Sequence, residues 1–81
     1  LSINELLSSR RSRSLARPRQ IAMYLSKQHT TKSLPDIGRK FSNRDHTTVI
    51  HAVKKIDELI KKDNEIRQNI IEIKKKLLWN L

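Results

Sequence analysis

The chain has 81 residues, with 18 lysines and arginines against 8 aspartates and glutamates, a formal net charge of +10 and a pI near 10.6. A chain this short is one domain that buries about 60% of its unfolded surface, which leaves little room for a deep catalytic cleft, and its charge is that of a polyanion binder. It has no cysteine, which removes disulfides and thiolate metal sites, and no apolar run nears the roughly 20 residues that span a bilayer. A soluble, cytoplasmic protein is expected. No signal peptide opens the chain, and a first residue of Leu rather than Met points to a fragment of something longer. The charge is not spread evenly: residues 10 to 55 carry 12 basic and 2 acidic side chains, whereas residues 56 to 81 carry 6 and 5.

Gly occurs once and Pro twice, without period-2 alternation or a hairpin dipeptide, so the fold class expected is all-α. Ser2 with Glu5 three residues on is a capping-box pattern opening a short helix that ends near Ser9. Arg10-Arg11-Ser12-Arg13-Ser14 lacks apolar periodicity and reads as an exposed basic loop. Pro18 suits the first turn of the next helix, whose apolar stripe of Ile21, Ala22, Leu25 and neighbouring Met23 and Tyr24 runs to about His29. Ser33 is placed to cap a brief third helix with Pro35 in its first turn and Asp36 as a short capping-box partner. Leu34, Ile37, Gly38 and Phe41 define that helix's inner side, and Gly38 allows a close neighbour.

Ser42-Asn43 then makes a turn, and a long helix follows from about Asp45. Val49, Ala52, Val53, Ile56 and Ile60 repeat at three and four residues and face the core, while Thr48, His51 and Lys55 fall outside. Asp63 and Asn64 break the chain before a last amphipathic helix carrying Ile66, Ile70, Ile73, Leu77 and Leu78. A short helix, a turn and a longer basic helix make a helix-turn-helix. Arg44-Asp45-His46-Thr47-Thr48 supplies the short polar side chains that a DNA-reading helix presents to base edges in its first turn.

The run from Ile37 through Arg44-Asp45-His46-Thr47-Thr48-Val49, preceded by Arg10-Arg11-Ser12-Arg13-Ser14 and Ala16-Arg17-Pro18-Arg19-Gln20, resembles the C-terminal DNA-binding domain of bacterial replication initiators of the DnaA family. The likeness spans nearly the whole chain; only the final helix is generic. It implies an all-α, TrpR-like helix-turn-helix DNA-binding domain of about five to six helices, occupying residues 1–81. Residues 1–9 would be the end of a linker helix from a missing ATPase domain. The implied function is sequence-specific binding of double-stranded DNA at DnaA boxes of the replication origin. The implied partners are the other domains and copies of the parent initiator. ATP belongs only to the missing domain, because this chain has no phosphate-cradling glycine loop.

Base reading falls by this resemblance to Arg11, Pro35, Asp45, His46 and Thr47. Arg11 would enter the minor groove, which is narrow and strongly negative at A·T-rich DNA. Asp45 either caps its helix or accepts from cytosine N4, and both are open together; Thr47 offers a hydroxyl and a methyl, and Pro35 an apolar surface for a thymine methyl. Phosphate contacts would fall to Arg13, Arg19, Gln20, Lys27, Leu34, Arg44, Thr48, His51 and Lys55. Gln20 near a helix N-terminus would add backbone donors, Leu34 is as much a core residue as a contact, and Arg44 could instead balance Asp45. Two departures stand out: family members often have Gly-Gly where this chain has Ser42-Asn43, so Asn43 must supply the positive φ, and Ser9 occupies an often basic position.

Other chemistries have little support. His46 and His51 lie about 140° apart around a helix, not at metal-pair spacing, and no Ser/His/Asp set or carboxylate pair has a catalytic context, so no metal site and no enzyme activity are expected. Two alternatives remain. One is a helix-turn-helix transcriptional regulator, which would dimerise on a palindrome; no spare apolar face suggests a dimer, so a monomer is expected. The other is a basic amphipathic domain meeting protein or acidic phospholipid through Lys74-Lys75-Lys76 and Trp79, although that apolar stripe is needed for the core.

Overall fold

The computed structural model describes residues 3–77, and within them every regular element is a helix. These are α1 (Ile3–Leu7), α2 (Arg13–His29), α3 (Leu34–Lys40), α4 (His46–Ile60) and α5 (Asn64–Leu77). The expected cap Ser2 and the expected apolar and aromatic residues Leu78 and Trp79 lie outside the described residues.

Helix α2 is the central strut, packed most extensively against α4 and then against α5, α1 and α3. Its buried Ile21, Ala22, Met23 and Leu25 meet Val49, Ala52 and Ile56 of α4, Ile37 and Phe41 of α3, Ile73 and Leu77 of α5, and Leu6 of α1. Val53, Ile60 and Ile70 are half-buried at the margin of this core. The three-and-four spacing in α4 and α5 thus marks the faces that pack.

Helix α2 begins at Arg13, five residues before the start expected at Pro18, so only the first part of the basic stretch is a loop. Leu15 is the cause. It is 2% exposed, and with Arg19 and Ala22 it continues the inward face of α2 by a further turn. Pro18 lacks the N–H that would reach the Ser14 carbonyl, a single lost bond near the helix end that this packing offsets. Ser12 holds the extended N-cap backbone, but its hydroxyl pairs with Ser14 at 2.8 Å instead of capping.

Ser33 caps α3 as expected, accepting from the Asp36 N–H at 3.3 Å. The Asp36 carboxylate is paired with Arg39. The turn into α4 takes its shape from Gly38, Ser42 and Asn43. The Arg44 N–H donates to the Gly38 carbonyl at 2.8 Å, and a Cβ on Gly38 would lie 2.2 Å from the Arg44 carbonyl oxygen. The close neighbour that Gly38 admits is therefore backbone. Asn43 has the expected positive φ of 56°, and Ser42 shares it at 60°. The left-handed backbone of Ser42 is secured by its hydroxyl, which donates to the Leu7 carbonyl at 2.5 Å and ties the turn to α1.

Asp63 accepts from the Glu65 N–H at 2.9 Å where α5 starts, and Arg67 donates back to the Ile60 carbonyl at the end of α4, also at 2.9 Å. No helix among the described residues is long and apolar enough to cross a membrane.

Because the atom facing Gly38 is a backbone carbonyl that cannot rotate away, Gly38→Ala should destabilise the domain by about 1–3 kcal/mol or more. Urea denaturation measures this; a loss below about 0.5 kcal/mol, the range of ordinary surface substitutions, would contradict the close approach.

Candidate nucleic-acid interface

Helix α4 opens with its polar residues outward. Asp45, His46, Thr47 and Thr48 are exposed, and the first buried side chain of the helix is Val49. Asp45 is the N-cap: its Oδ1 accepts from the Thr47 N–H at 3.1 Å and lies 3.1 Å from His46 Nδ1. The Thr47 backbone bond, aided by the Thr47 side chain and by His46, holds the Asp45 carboxyl below the ordinary aspartate range against the opposing effect of desolvation. Capping engages one lone pair of a group that has several, so it leaves acceptor capacity for another donor.

Along the outer side of α4, Thr48, His51 and Lys55 are all exposed, as their spacing requires. Thr48 and His51 also form one wall of a cleft of about 240 Å³ between α2 and α4, whose other polar lining is Arg19, Gln20 and Arg44. Five of the nine residues assigned to phosphate thus converge on one concavity with two guanidiniums in its walls. Gln20 sits well inside α2, not at its N-terminus, because α2 starts at Arg13; its side chain alone serves the cleft. Arg17 donates to Gln20 Oε1 at 2.9 Å, an arrangement that engages the acceptor end of the amide and leaves its NH2 as the end suited to an anion.

Arg19 and Arg44 depart most from expectation. Arg19 is 7% exposed, and its guanidinium donates from Nε to the Leu6 carbonyl at 2.9 Å, from Nη1 to Arg10 at 2.8 Å and from Nη2 to Glu5 at 3.0 Å. Arg44 is half-buried and donates from Nη1 to the carbonyls of Ser8 at 2.9 Å and Phe41 at 2.6 Å. Neither is the extended surface side chain that a phosphate contact assumes. The carbonyls at the end of a helix lack partners within it, and these arginines supply them. No ion pair among the described residues joins Arg44 to Asp45. Burial first, and then the charge of Arg44, lowers the Arg19 pKa; burial and then Arg11 lower that of Arg44. Arg19 brings its charge to the cleft with Nε and both Nη groups engaged, and Arg44 with Nη1 engaged.

Arg11 and Arg13 are exposed, Arg11 in the unwound segment after α1 and Arg13 as the first residue of α2. Lys27 is exposed and, seven residues beyond Gln20, shares its side of α2. Pro35 is exposed at the start of α3, while the Leu34 side chain packs at the margin of the core, so that of these two only Pro35 presents a side chain to a ligand. The sequence alone gives no role to the Arg17 side chain, and to Ser42 only its place in the turn, not the bond of its hydroxyl to α1. The i, i+3 spacing of Arg17 and Gln20 was visible, but it carries meaning only once α2 is known to include both. No group of His, Asp or Glu among the described residues could hold a metal ion.

A family model described as "Bacterial dnaA protein helix-turn-helix" matches residues 1–56, from α1 to most of α4. Proteins named "Chromosomal replication initiator protein DnaA" from Rickettsia canadensis, Rickettsia felis and Rickettsia conorii are each 59% identical to the chain over 70 residues. That stretch is 86% of this chain but 15% of each relative, so the chain corresponds to a small part of their length.

The depressed Asp45 pKa has a definite sign in stability. Its contribution is fully present above the unfolded aspartate value of about 3.9 and is lost as pH falls through the lower folded value. An NMR titration should place the Asp45 midpoint below that of an unstructured aspartate, and Asp45→Ala should flatten the acid limb of the stability profile. A midpoint at or above the unstructured value would remove the capping account.

Proposed function

The chain belongs to the bacterial DnaA helix-turn-helix family, and from that membership we propose that it binds double-stranded DNA at DnaA boxes to initiate chromosome replication. Support comes chiefly from one observation: the exposed polar first turn of α4 adjoins a cationic cleft lined by Arg19, Gln20, Arg44, Thr48 and His51. In this proposal Asp45, His46 and Thr47 meet base edges in the major groove, with the Asp45 carboxylate accepting from cytosine N4. Arg11 enters the adjacent minor groove, and Pro35 touches a thymine methyl. A backbone phosphate occupies the mouth of the cleft between Gln20, Thr48 and His51, within the field of buried Arg19 and half-buried Arg44. Arg13, Lys27 and Lys55 meet flanking phosphates.

The net charge of +10 supplies affinity that does not depend on sequence, and the first turn of α4 supplies the discrimination. The domain acts as a cytoplasmic monomer on an asymmetric site, without a cofactor or catalysis of its own. ATP use belongs to the remaining length of the parent protein.

Fluorescence anisotropy on a DnaA-box duplex and a scrambled duplex of equal composition, at several salt concentrations, tests this. A preference of about tenfold or more for the box, persisting as salt rises, is expected; equal affinity that collapses with salt would overturn it. His46→Ala should erase about 1–3 kcal/mol of discrimination and leave the salt slope unchanged, whereas Lys55→Ala should weaken both duplexes alike and reduce the slope by about 0.9.

A further inference from the structure

We infer that Arg19 and Arg44 are positioning residues that fix Arg11 at a set offset from the first turn of α4, so that two grooves are read by one rigid surface. The inference rests on the DNA-binding proposal above. Residues 8 to 12 have no regular structure, and a short polar stretch of this kind orders only if something outside it holds its backbone. Here the carbonyls of Glu5, Leu6, Leu7, Ser8 and Arg10 are each engaged by a side chain from another part of the chain. Arg19 of α2 takes those of Glu5, Leu6 and Arg10. Arg44 takes that of Ser8, and Ser42 that of Leu7.

Sequence position gives these bonds their meaning. The Arg10 carbonyl belongs to the residue just before Arg11, and Arg44 lies just before the N-cap Asp45 and two residues before His46. Arg44 therefore joins the proposed minor-groove segment directly to the start of the proposed major-groove helix, and Arg19 fixes the same segment to α2. The chemistry suits arginine alone among cations: a planar fork with five N–H groups reaches three carbonyls at once, which a lysine ammonium on a flexible stem does not. Covering a guanidinium and setting another cation beside it are both costly for stability, and both act here: burial lowers the two pKa values first, and the neighbouring cation is Arg44 for Arg19 and Arg11 for Arg44. An arrangement serving stability alone would use neutral groups; one serving a polyanion keeps the charge and gains a preorganised arm.

The test keeps charge and removes geometry. The chain has no native cysteine, so spin labels at Ser9→Cys and Lys54→Cys report the distance from the segment to α4 by pulsed electron resonance without DNA. A narrow distribution is expected with Arg19 and Arg44 unaltered and a broad one for Arg19→Lys. On DNA, Arg19→Lys should lose discrimination at the base pairs under Arg11, to within about twofold, while retaining that under His46 and the salt slope. Arg11→Ala added to Arg19→Lys should then cost less than about a further twofold. A narrow distribution in Arg19→Lys, or loss at both sets of base pairs to the same degree, would overturn the inference. Should Arg19→Lys not fold, Arg44→Lys carries the same expectations and the same refutations. Equal affinity of the unaltered chain for box and scrambled duplex is a different failure: it refutes the DNA-reading proposal and the inference with it, whatever the distance distribution.

Discussion

The fold turns on a shortage of hydrogen-bond donors at the end of α1. A helix leaves its last carbonyls without partners, and α1 is only five residues long, so most of its acceptors look outward for a donor. Arg19, Ser42 and Arg44 supply them from α2 and from the turn between α3 and α4. That exchange draws Leu6 fully into the core and holds the segment that follows α1 against Arg19 and Arg44. It also gives the unusual turn a second anchor. The left-handed backbone of Ser42 and Asn43, the close approach at Gly38 and the inward guanidinium of Arg44 all belong to one stretch of seven residues.

The distribution of charge follows from the same arrangement. Apolar packing is carried by the facing sides of α2, α4 and α5, which leaves residues 10 to 55, with 12 basic and 2 acidic side chains, to carry the net charge mostly on their outward sides. Exposed cations there contribute little to stability in water and are available to a polyanion. Arg19, which is buried, and Arg44, which is half-buried, sit beneath that surface in the cleft wall, where the lower dielectric strengthens their field.

Much of this was legible in the residues. The helical spacing of Val49, Ala52 and Ile56 marked the buried side of α4, and by complement its outer side, because tertiary packing there agrees with local periodicity. Ser33 and Asp45 marked helix starts because capping is local. The start of α2 was not legible: Pro18 is a strong first-turn signal, and only long-range burial of Leu15 shows that it is not the first turn here. Arg19 and Arg44 were hidden for a related reason. An arginine in a basic run looks like a surface charge until the carbonyls that it serves, nine to fourteen residues away for Arg19 and up to 36 for Arg44, are placed beside it. Family likeness points to these positions but cannot say that their guanidiniums turn inward to backbone carbonyls.

A crystal structure of the domain on a box duplex tests the central claim, a single preformed surface spanning both grooves, most directly. The first turn of α4 should lie in the major groove and Arg11 in the neighbouring minor groove, with the bonds of Arg19 to the Glu5, Leu6 and Arg10 carbonyls and of Arg44 to the Ser8 carbonyl unchanged from the free protein. DNA seated on another face, or a basic segment detached from those arginines when bound, would contradict it.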